Sequence, residues 1–189
     1  MVGMVLGIGD RHSQNILIDE KTAEVIHIDF GVTFEQGKAL RTPETVPFRL
    51  TPDVVDGFGS SGVKGVFTKS CEETLAVLRE NAEAILTICE VFVHDPLHRW
   101  DVNPNKQRRI ERRGQDEEGA NGGEDDVSSK NNIQKLEAER VLSRVRQKLQ
   151  GIVDEGEPLS VQAQAKRVIQ EATDEMNLAQ LYYGWASWL

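Results

Sequence analysis

The chain has 189 residues, with 22 basic and 31 acidic side chains and a formal net charge of −9 at pH 7. This length suits one ordinary domain, or one domain with an appendage, and the acidic balance argues against direct nucleic-acid binding, because phosphate contacts need a basic face. No apolar run approaches the roughly 20 residues that span a bilayer, so no membrane association is expected, and two cysteines cannot form a disulfide framework, which favours a reducing intracellular compartment.

The first eight residues are apolar but do not fit a signal peptide, because no basic residue precedes them and no small-residue cleavage site follows. The apolar run begins at Met1, without a polar lead-in or a helix-capping residue. We therefore expect Met1 to mark a cut through a longer protein.

Residues 1–30 predict a glycine-containing turn followed by a β-hairpin. Gly7 and Gly9 allow sharp backbone turns. Residues 15–19 and 24–30 have the composition of two short strands, and the residues between them fit a turn. Residues 31–50 contain glycine and two prolines without a helical period. A long loop is expected there, and loops of this length tend to be functional.

Helices are predicted between residues 51 and 95. Thr51 and Pro52 suit the cap and first turn of a short helix. Apolar side chains then follow helical spacing in two successive segments, with Asn81 as a cap between them and Asp95-Pro96 as the end. The two stripes consist of Phe67, Cys71, Leu75 and Leu78, and of Ile85, Leu86, Cys89, Phe92 and Val93.

A polar insert precedes the C-terminal helices. Residues 105–130 are largely glycine-rich and acidic and cannot bury enough surface to order themselves, so a mobile insert is expected. Helical periodicity resumes at Ile133 and stops at Gly151, and Ser160 caps the next helix. The last nine residues are densely aromatic, which predicts an end that docks in the core or against a partner.

Asp10, Asn15 and Asp29 are the main candidates for chemistry. Asn15 stands at the entry of the first predicted strand and Asp29 at the exit of the second, so a hairpin can bring them together. An amide oxygen and a carboxylate are typical Mg²⁺ ligands, and a second carboxylate can orient and deprotonate a hydroxyl. The Asp-to-Asn spacing and the following Asp-Phe-Gly match the catalytic and metal-binding motifs of protein kinases. The alternative, turn residues flanking a hairpin, does not explain the joint spacing.

Other histidines and charged clusters fit structural roles better. His94 and His98 have the spacing of a zinc pair, but Pro96 interrupts the helix and no third ligand accompanies them. His27 suits packing, and the four arginines of residues 108–113 suit a solvated linker better than a partner contact. His12, taken alone, stays open between a structural loop residue and a functional one.

The order of residues around these candidates resembles the phosphatidylinositol-3-kinase superfamily. Residues 9–15 read GDRHSQN and residues 27–31 read HIDFG, whereas conventional protein kinases place His-Arg before the aspartate. Residues 43–51, PETVPFRLT, resemble the related protein kinases of that superfamily rather than its lipid kinases. Residues 34–67 resemble the activation segment and following helices of a branch that signals DNA damage. The final LYYGWASWL resembles the FATC domain that closes such kinases.

This resemblance implies roles for individual residues. Residues 31–51 become the activation loop, Asp10 the catalytic base or substrate-orienting carboxylate, and His12 a contact to the γ-phosphate. The remaining implied assignments are Asn15 and Asp29 for Mg²⁺, with Mn²⁺ as a substitute, and Leu17 and Ile28 for the adenine of ATP.

The expected fold is α+β. It consists of a mostly helical C-lobe of the PI3/PI4-kinase type with a short catalytic β-hairpin, followed by a helical FATC tail. The expected divisions are a partial lobe over 1–104, the insert over 105–130, a helical regulatory connector over 131–156 and the FATC domain over 157–189. No Gly-rich loop, phosphate-binding lysine or adenine hinge precedes the catalytic loop, so we expect the segment by itself to be inactive.

The resemblance implies a serine/threonine protein kinase that acts on Ser or Thr followed by Gln, in DNA-damage signalling and repair in the nucleus. Its implied partners are protein substrates and regulators that bind the FATC tail, and the parent protein is expected to be a homo-oligomer. A lipid kinase is the first alternative, but it favours clustered basic residues in the activation loop, where Glu35 and Glu44 oppose Lys38, Arg41 and Arg49. A non-catalytic module that recruits a regulator through its tail is the second.

Overall fold

A computed structural model of the chain describes residues 1–22, 24–93, 125–152 and 156–185, with the backbone alone over 125–135. The chain divides into two compact units, one of residues 1–82 and 147–189 and the other of residues 83–146. The described helices are α1 (Val2–Leu6), α2 (Pro52–Asp56), α3 (Val66–Glu80), α4 (Ala82–Val93), α5 (Asp125–Gln150), α6 (Val161–Thr173) and α7 (Glu175–Ala179), and the strands are β1 (Ile16–Ile18) and β2 (Val25–His27). This content confirms the expected α+β class.

The predicted hairpin is formed by β1 and β2, which pair antiparallel with Leu17 opposite Ile26. Both strands are shorter than predicted. The Asp19 carboxylate ends β1 by accepting the N–H groups of the turn residues Lys21 and Thr22. At the other end, Asp29 has a φ of 56°, which a strand cannot continue through.

Local residues determine where α2 begins and where α3 ends. Pro52 opens α2 as predicted, and Thr51 is fully buried before it, with its hydroxyl donating to the Asp53 carboxylate. The predicted stripe on α3 buries Cys71 and Leu75. Asn81 caps the end of α3 rather than the start of α4, because its side-chain amide donates to the Val77 carbonyl at 2.8 Å.

In the second unit, α4 buries Leu86, Cys89 and Val93, as the apolar spacing predicted. Phe92 was predicted for the same stripe, but it is 62% exposed. Its position lies about 90° around the helix from the centre of the three buried side chains, so it falls at the edge of the stripe.

The helix α5 ends where the sequence predicted, at Gly151, whose φ of 77° favours glycine. It includes residues 125–130, which the sequence assigned to the insert, whereas residues 105–124 lie outside the described part of the chain. Ser160 caps α6 as predicted, because its hydroxyl oxygen accepts the Ala163 N–H at 3.1 Å.

Within the first unit, α6 packs against α3 and is tied to the last turn of α5 by a buried glutamine. Gln164 is 1% exposed, and both ends of its side-chain amide are hydrogen bonded. Its oxygen accepts from Arg79 Nη2 at 2.7 Å, and its nitrogen donates to the Lys148 carbonyl at 2.8 Å. A buried polar group satisfied in this way fixes the register of the helices around it.

The C-terminal tail docks through Trp185, which is 3% exposed and packs with Leu178, Leu181 and Val46. Tyr182 and Tyr183 remain exposed beside this core. The tail is therefore anchored, as its aromatic composition predicted.

Several sequence predictions fall outside the described residues. These are the end of α4 at Asp95-Pro96, the histidines 94 and 98, the arginine cluster of residues 108–113 and the last four residues of the chain. Among the residues that the structure does describe, no helix is both long and apolar enough to cross a membrane.

Candidate active site

Asp10 lies in the loop between α1 and the hairpin, with its backbone in the left-handed region at a φ of 55°. A residue with a Cβ rarely adopts this conformation, and such outliers concentrate at functional sites. Two side chains hold the backbone of Asp10: Asn15 Nδ2 donates to its carbonyl at 2.9 Å, and Glu44 Oε1 accepts its N–H at 2.6 Å. The Asp10 carboxylate stays 39% exposed, where it can reach a hydroxyl.

Arg11 joins this loop to both ends of the hairpin from a buried position. Its Nε donates to the Gly9 carbonyl at 2.6 Å, and its Nη1 donates to the carbonyls of Ile28 at 2.7 Å and Asn15 at 3.3 Å. Its Nη2 donates to the carbonyl of Asp29. Burial lowers the pKa of Arg11 and three nearby carboxylates oppose that change, so the guanidinium keeps its charge. One side chain therefore brings residues 9, 15 and 29 together.

One face of the hairpin carries three of the predicted site residues. The Ile28 N–H donates to the Asn15 carbonyl at 3.1 Å, which extends the strand register by one pair. Residues opposite each other in an antiparallel pair lie on the same face, and alternate residues share that face. Asn15, Leu17 and Ile28 therefore lie on one face. Leu17 is 47% and Ile28 39% exposed, so this face offers apolar surface for a flat ring beside the Asn15 amide.

Asp29 follows the hairpin with the same left-handed backbone as Asp10. Its Oδ1 accepts the Gly31 N–H at 3.0 Å, which stabilises the turn that leads into the following loop. The ring of Phe30 lies under the Arg11 guanidinium, with the Cζ atom 5.9 Å from the ring centroid. Asp10 and Asp29 thus share a left-handed backbone, which few non-glycine residues adopt and which Phe34 and Glu35 of the following loop also have.

His12 stands beside Asp10. Its Nδ1 accepts the Gln14 N–H at 3.2 Å, and its Nε2 lies 3.9 Å from Asp10 Oδ1. An Nδ1 that accepts a hydrogen bond carries no proton, so the neutral ring carries its proton at Nε2. The ring therefore presents an N–H donor on the side of the Asp10 carboxylate.

The donor set at Asn15 and Asp29 fits a hard divalent cation. Because Asn15 Nδ2 is engaged by the Asp10 carbonyl, the amide oxygen is the atom that can face a cation. Two protein oxygens with the remaining positions filled by phosphate and water are typical of Mg²⁺. Among the described residues, no group of three or more His, Cys, Asp and Glu could hold a metal ion alone. Asn15 and Asp29 supply two protein oxygens, which leaves the other positions of such a shell to phosphate and water.

The C-terminal tail contacts the loop of residues 31–51. The Arg49 guanidinium lies over the Trp185 ring, with its Cζ 5.7 Å from the ring centroid, and Arg49 Nη1 donates to the Arg11 carbonyl at 3.4 Å. The Thr45 hydroxyl donates to the Asn177 carbonyl at 2.9 Å. Arg49 thus connects the buried tryptophan of the tail with the backbone between Asp10 and His12.

The last turn of α5 contacts the same loop. Lys148 Nζ lies 2.7 Å from Glu35 Oε1 and donates to the Met4 carbonyl at 2.9 Å. Burial acts to raise the pKa of Glu35, but Lys148 and then Lys38 oppose it and leave the pKa below its usual value. This ion pair stabilises Glu35, which also has a left-handed backbone, with a φ of 64°.

Sequence reasoning did not identify Arg11 and Glu44 as site residues. In the sequence, Arg11 is part of the GDRH string, and Glu44 is part of the PETVPFRLT string and opposes the basic residues of the loop. Their contacts are to backbone atoms of residues that are distant in sequence, and side-chain chemistry at fixed spacing gives no signal of such contacts. The one signal in the sequence was the position of the Arg11 side chain among turn residues, whose carbonyls need hydrogen-bond donors.

Family models and known proteins match this chain. Residues 1–102 match the family model described as phosphatidylinositol 3- and 4-kinase, and residues 158–189 match the FATC domain model. Serine/threonine-protein kinase ATM of Arabidopsis thaliana is 49% identical over 191 residues, which cover 100% of this chain and 5% of the relative. Serine-protein kinase ATM of Sus scrofa is 50% identical over 197 residues, which cover 100% of this chain and 6% of the relative.

A solved structure described as the FAT and kinase domain of CtTel1 has the same fold. It matches with a TM-score of 0.76 and 42% identity over 100% of this chain and 11% of that chain. The chain thus spans a small part of the proteins it matches, as little as 5% of the plant relative. The predicted resemblance, including the likeness of residues 34–67 to the ataxia-telangiectasia mutated (ATM) branch, is confirmed.

Proposed function

Because the chain belongs to the phosphatidylinositol 3- and 4-kinase family, we propose that it supplies the catalytic loop, activation loop and FATC tail of a serine/threonine protein kinase. The reaction is transfer of the γ-phosphoryl group of ATP to a Ser or Thr hydroxyl. The observation that carries the proposal is the single Arg11 guanidinium, which gathers the backbone of residues 9, 15 and 29 around Asp10. Relatives named as serine/threonine kinases, at about half identity over the whole chain, support the same reaction.

In this proposal each site residue has a separate task. Asp10 orients the attacking hydroxyl and accepts its proton, which suits its exposed carboxylate and fixed backbone. His12 directs its Nε2 proton at the γ-phosphate, beside Asp10. Asn15 and Asp29 hold Mg²⁺, or Mn²⁺ in its place, and the cation, when bound, neutralises charge that develops on the phosphates. Leu17 and Ile28 contact the adenine ring.

Protein is a better substrate class than lipid for this site. Anionic head groups need basic side chains that are available for binding. Within residues 31–51, Lys38 lies 3.3 Å from Glu35 Oε2 and Arg49 contacts Trp185 and the Arg11 carbonyl. Two of the three basic side chains therefore already contact other groups of this chain, and Lys38 and Arg41 are exposed. By family resemblance, the preferred acceptor is a Ser or Thr followed by Gln.

We propose a structural role for the tail before a recruiting one. Its core packs on Val46 and its tryptophan contacts Arg49, both in the activation loop. The exposed rings of Tyr182 and Tyr183 are the surface that a regulatory protein would contact. A related structure is described as the complete CtTel1 dimer with C2 symmetry, which supports a homo-oligomeric parent. By family resemblance, the parent acts in DNA-damage signalling in the nucleus.

The test uses a chimaeric kinase in which this segment replaces the matching region of the full-length Arabidopsis relative. Mg²⁺ dependence of ATP affinity and kcat on a Ser-Gln peptide are measured for Asp10→Asn, Asn15→Ala and Asp29→Asn. Asp29→Asn and Asn15→Ala should weaken Mg²⁺-dependent ATP binding and turnover together, because both remove a proposed cation ligand. Asp10→Asn should lower kcat by about 10²–10⁴-fold with ATP affinity nearly unchanged.

Two outcomes would contradict the proposal. If Asp10→Asn shifts the Mg²⁺ dependence as far as Asp29→Asn does, the division into base and metal ligands is wrong. If the chimaeric kinase phosphorylates phosphoinositides but no peptide, the lipid alternative is correct. Deletion of residues 184–189 separates the two roles of the tail: loss of all activity supports the structural role, and loss of activation alone supports recruitment.

A further inference from the structure

Glu44 reaches the catalytic loop from the activation loop, 34 residues along the chain. Within the activation loop, the backbone of Glu44 is held by its N–H, which donates to the Gly37 carbonyl at 3.1 Å. Gly37 belongs to a short 3₁₀ turn, Gln36–Ala39. From this anchored position the side chain extends to Asp10, where Oε1 accepts the backbone N–H at 2.6 Å.

Two glycines make the space that the Glu44 carboxylate occupies. A Cβ on Gly37 would overlap Glu44 Oε2 and lie 2.8 Å from its Cδ. A Cβ on Gly9 would overlap the same oxygen and lie 2.9 Å from Val32 Cγ1. Neither glycine has a positive φ, so a side chain at either position conflicts with these neighbouring atoms rather than with the backbone conformation, and the Glu44 carboxylate would have to move.

The Glu44 contact stabilises a backbone conformation that is uncommon for a residue with a Cβ. The backbone of Asp10 is left-handed and is hydrogen bonded on both sides. Glu44 accepts its N–H, and Asn15 donates to its carbonyl. The hydrogen bond from Asn15 comes from the hairpin, and the one to Glu44 comes from the activation loop. A charged acceptor makes a stronger hydrogen bond than a neutral one, so loss of Glu44 releases the N-terminal side of Asp10.

From this arrangement we infer that Glu44 is a positioning residue, by which a seated activation loop sets the orientation of the Asp10 carboxylate. The inference rests on the proposed function, in which Asp10 acts on the attacking hydroxyl. Glu44 acts through the backbone of Asp10 and not on substrate. Its loss should therefore lower kcat and leave ATP binding unchanged, because the adenine and cation contacts lie on the hairpin.

The chimaeric kinase with Glu44→Ala, Glu44→Gln and Gly37→Ala tests this. Glu44→Ala should lower kcat about 10- to 100-fold, since small misplacements of a catalytic group have effects of this size, with the KM for ATP within about twofold. Glu44→Gln keeps an acceptor oxygen and should recover most of the rate. Gly37→Ala should resemble Glu44→Ala, because its methyl group displaces the Glu44 carboxylate. Glu73→Ala, an exposed glutamate of α3, is the matched control and should behave as the wild type.

A double variant and an activity-independent measurement complete the test. In the Glu44→Ala background the space is vacated, so Gly37→Ala should add little, which is a non-additive pair. Hydrogen exchange followed by mass spectrometry should show faster exchange of the Asp10 amide in Glu44→Ala than in the wild type, with Glu44→Gln close to the wild type.

The outcomes separate this inference from the proposed function. If the wild-type chimaera transfers no phosphate, the proposed function fails, and the exchange data alone decide whether Glu44 holds Asp10. If the wild type is active but Glu44→Ala keeps its kcat, the inference is wrong. A loss that appears in the KM for ATP, or a Glu44→Gln variant as impaired as Glu44→Ala, also overturns it.

Discussion

Replacing Arg11 by lysine should separate the catalytic loop from the hairpin while keeping the charge. The guanidinium donates to the carbonyls of Gly9, Ile28 and Asp29 in three directions, and more weakly to that of Asn15 at 3.3 Å. An ammonium group is a single donor centre on a flexible stem and cannot span acceptors arranged around a planar fork. We expect it to keep one of the three close contacts.

The structure sets the size of the effect. Each hydrogen bond from a charged donor contributes about 1.5–3 kcal/mol net, so two lost contacts give an upper bound of about 3–6 kcal/mol. Residues 28 and 29 are exposed, so water can replace part of that loss, and we expect about 2–4 kcal/mol. Arg11→Met leaves all these carbonyls without the donor, so its loss should be larger than that of Arg11→Lys. Either loss is a large part of the roughly 5–15 kcal/mol that stabilises a typical domain.

Urea unfolding of the 189-residue chain, followed by circular dichroism, measures this prediction. Arg11→Lys should lower the midpoint without changing the slope, because the unfolded state exposes the same surface. Arg167→Lys is the matched control, since Arg167 makes a partly exposed i,i+4 pair with Glu171 at 2.9 Å. A surface pair of this kind is worth at most about 0.5 kcal/mol. Arg11→Lys within that margin of the wild type would refute the assignment of Arg11 as the connection between loop and hairpin.

Three further predictions concern the C-terminal part of the first unit. Trp185→Ala should destabilise the chain by about 3–5 kcal/mol in the same urea assay, because it empties a buried site packed on Val46; a change below 1 kcal/mol would show that the tail is not docked there. Ser160→Ala removes the oxygen that accepts the Ala163 N–H at 3.1 Å and should cost about 1 kcal/mol, whereas Ser160→Asp should cost less. Lys148→Met should lower stability at pH 7, and its difference from the wild type should shrink as the pH falls through the lowered pKa of Glu35, below the usual value of 4.5; a difference that grows on acidification would contradict the Lys148–Glu35 pair.

The direction of that pH effect follows from the sign of the shift. A carboxyl group whose pKa is lower in the folded state than in the unfolded state binds fewer protons when folded. Its contribution is therefore complete above the unfolded pKa and is lost as the pH falls through the folded one. In Lys148→Met the ion pair is absent at every pH. Acidification therefore removes the stabilisation by this ion pair only from the wild type, and the two free energies of unfolding approach each other.

The positions of the local elements followed from short-range rules in the sequence. Gly151, with its positive φ, ended α5, and Ser160 began α6 through its hydroxyl cap, as both residue types predict. The hairpin was predicted because strand alternation is a property of neighbouring residues. Asn15 and Asp29 were identified as candidates because their kinase-like spacing is visible in the sequence. Where a prediction missed, as at Phe92, the residue lay at the edge of a helical stripe, where tertiary packing decides burial.

The sequence by itself determined which residues are the candidates for chemistry, because few positions combine a carboxylate, an amide and a second carboxylate at these spacings. Only the tertiary structure decided what holds them. Arg11 and Glu44 act on backbone carbonyl and N–H groups of distant residues. Nearly every residue carries these same groups, so the sequence does not show which of them a side chain will contact. The same is true of Trp185 and Arg49, which are more than a hundred residues apart in sequence. They are in contact because the fold places the Arg49 guanidinium over the Trp185 ring.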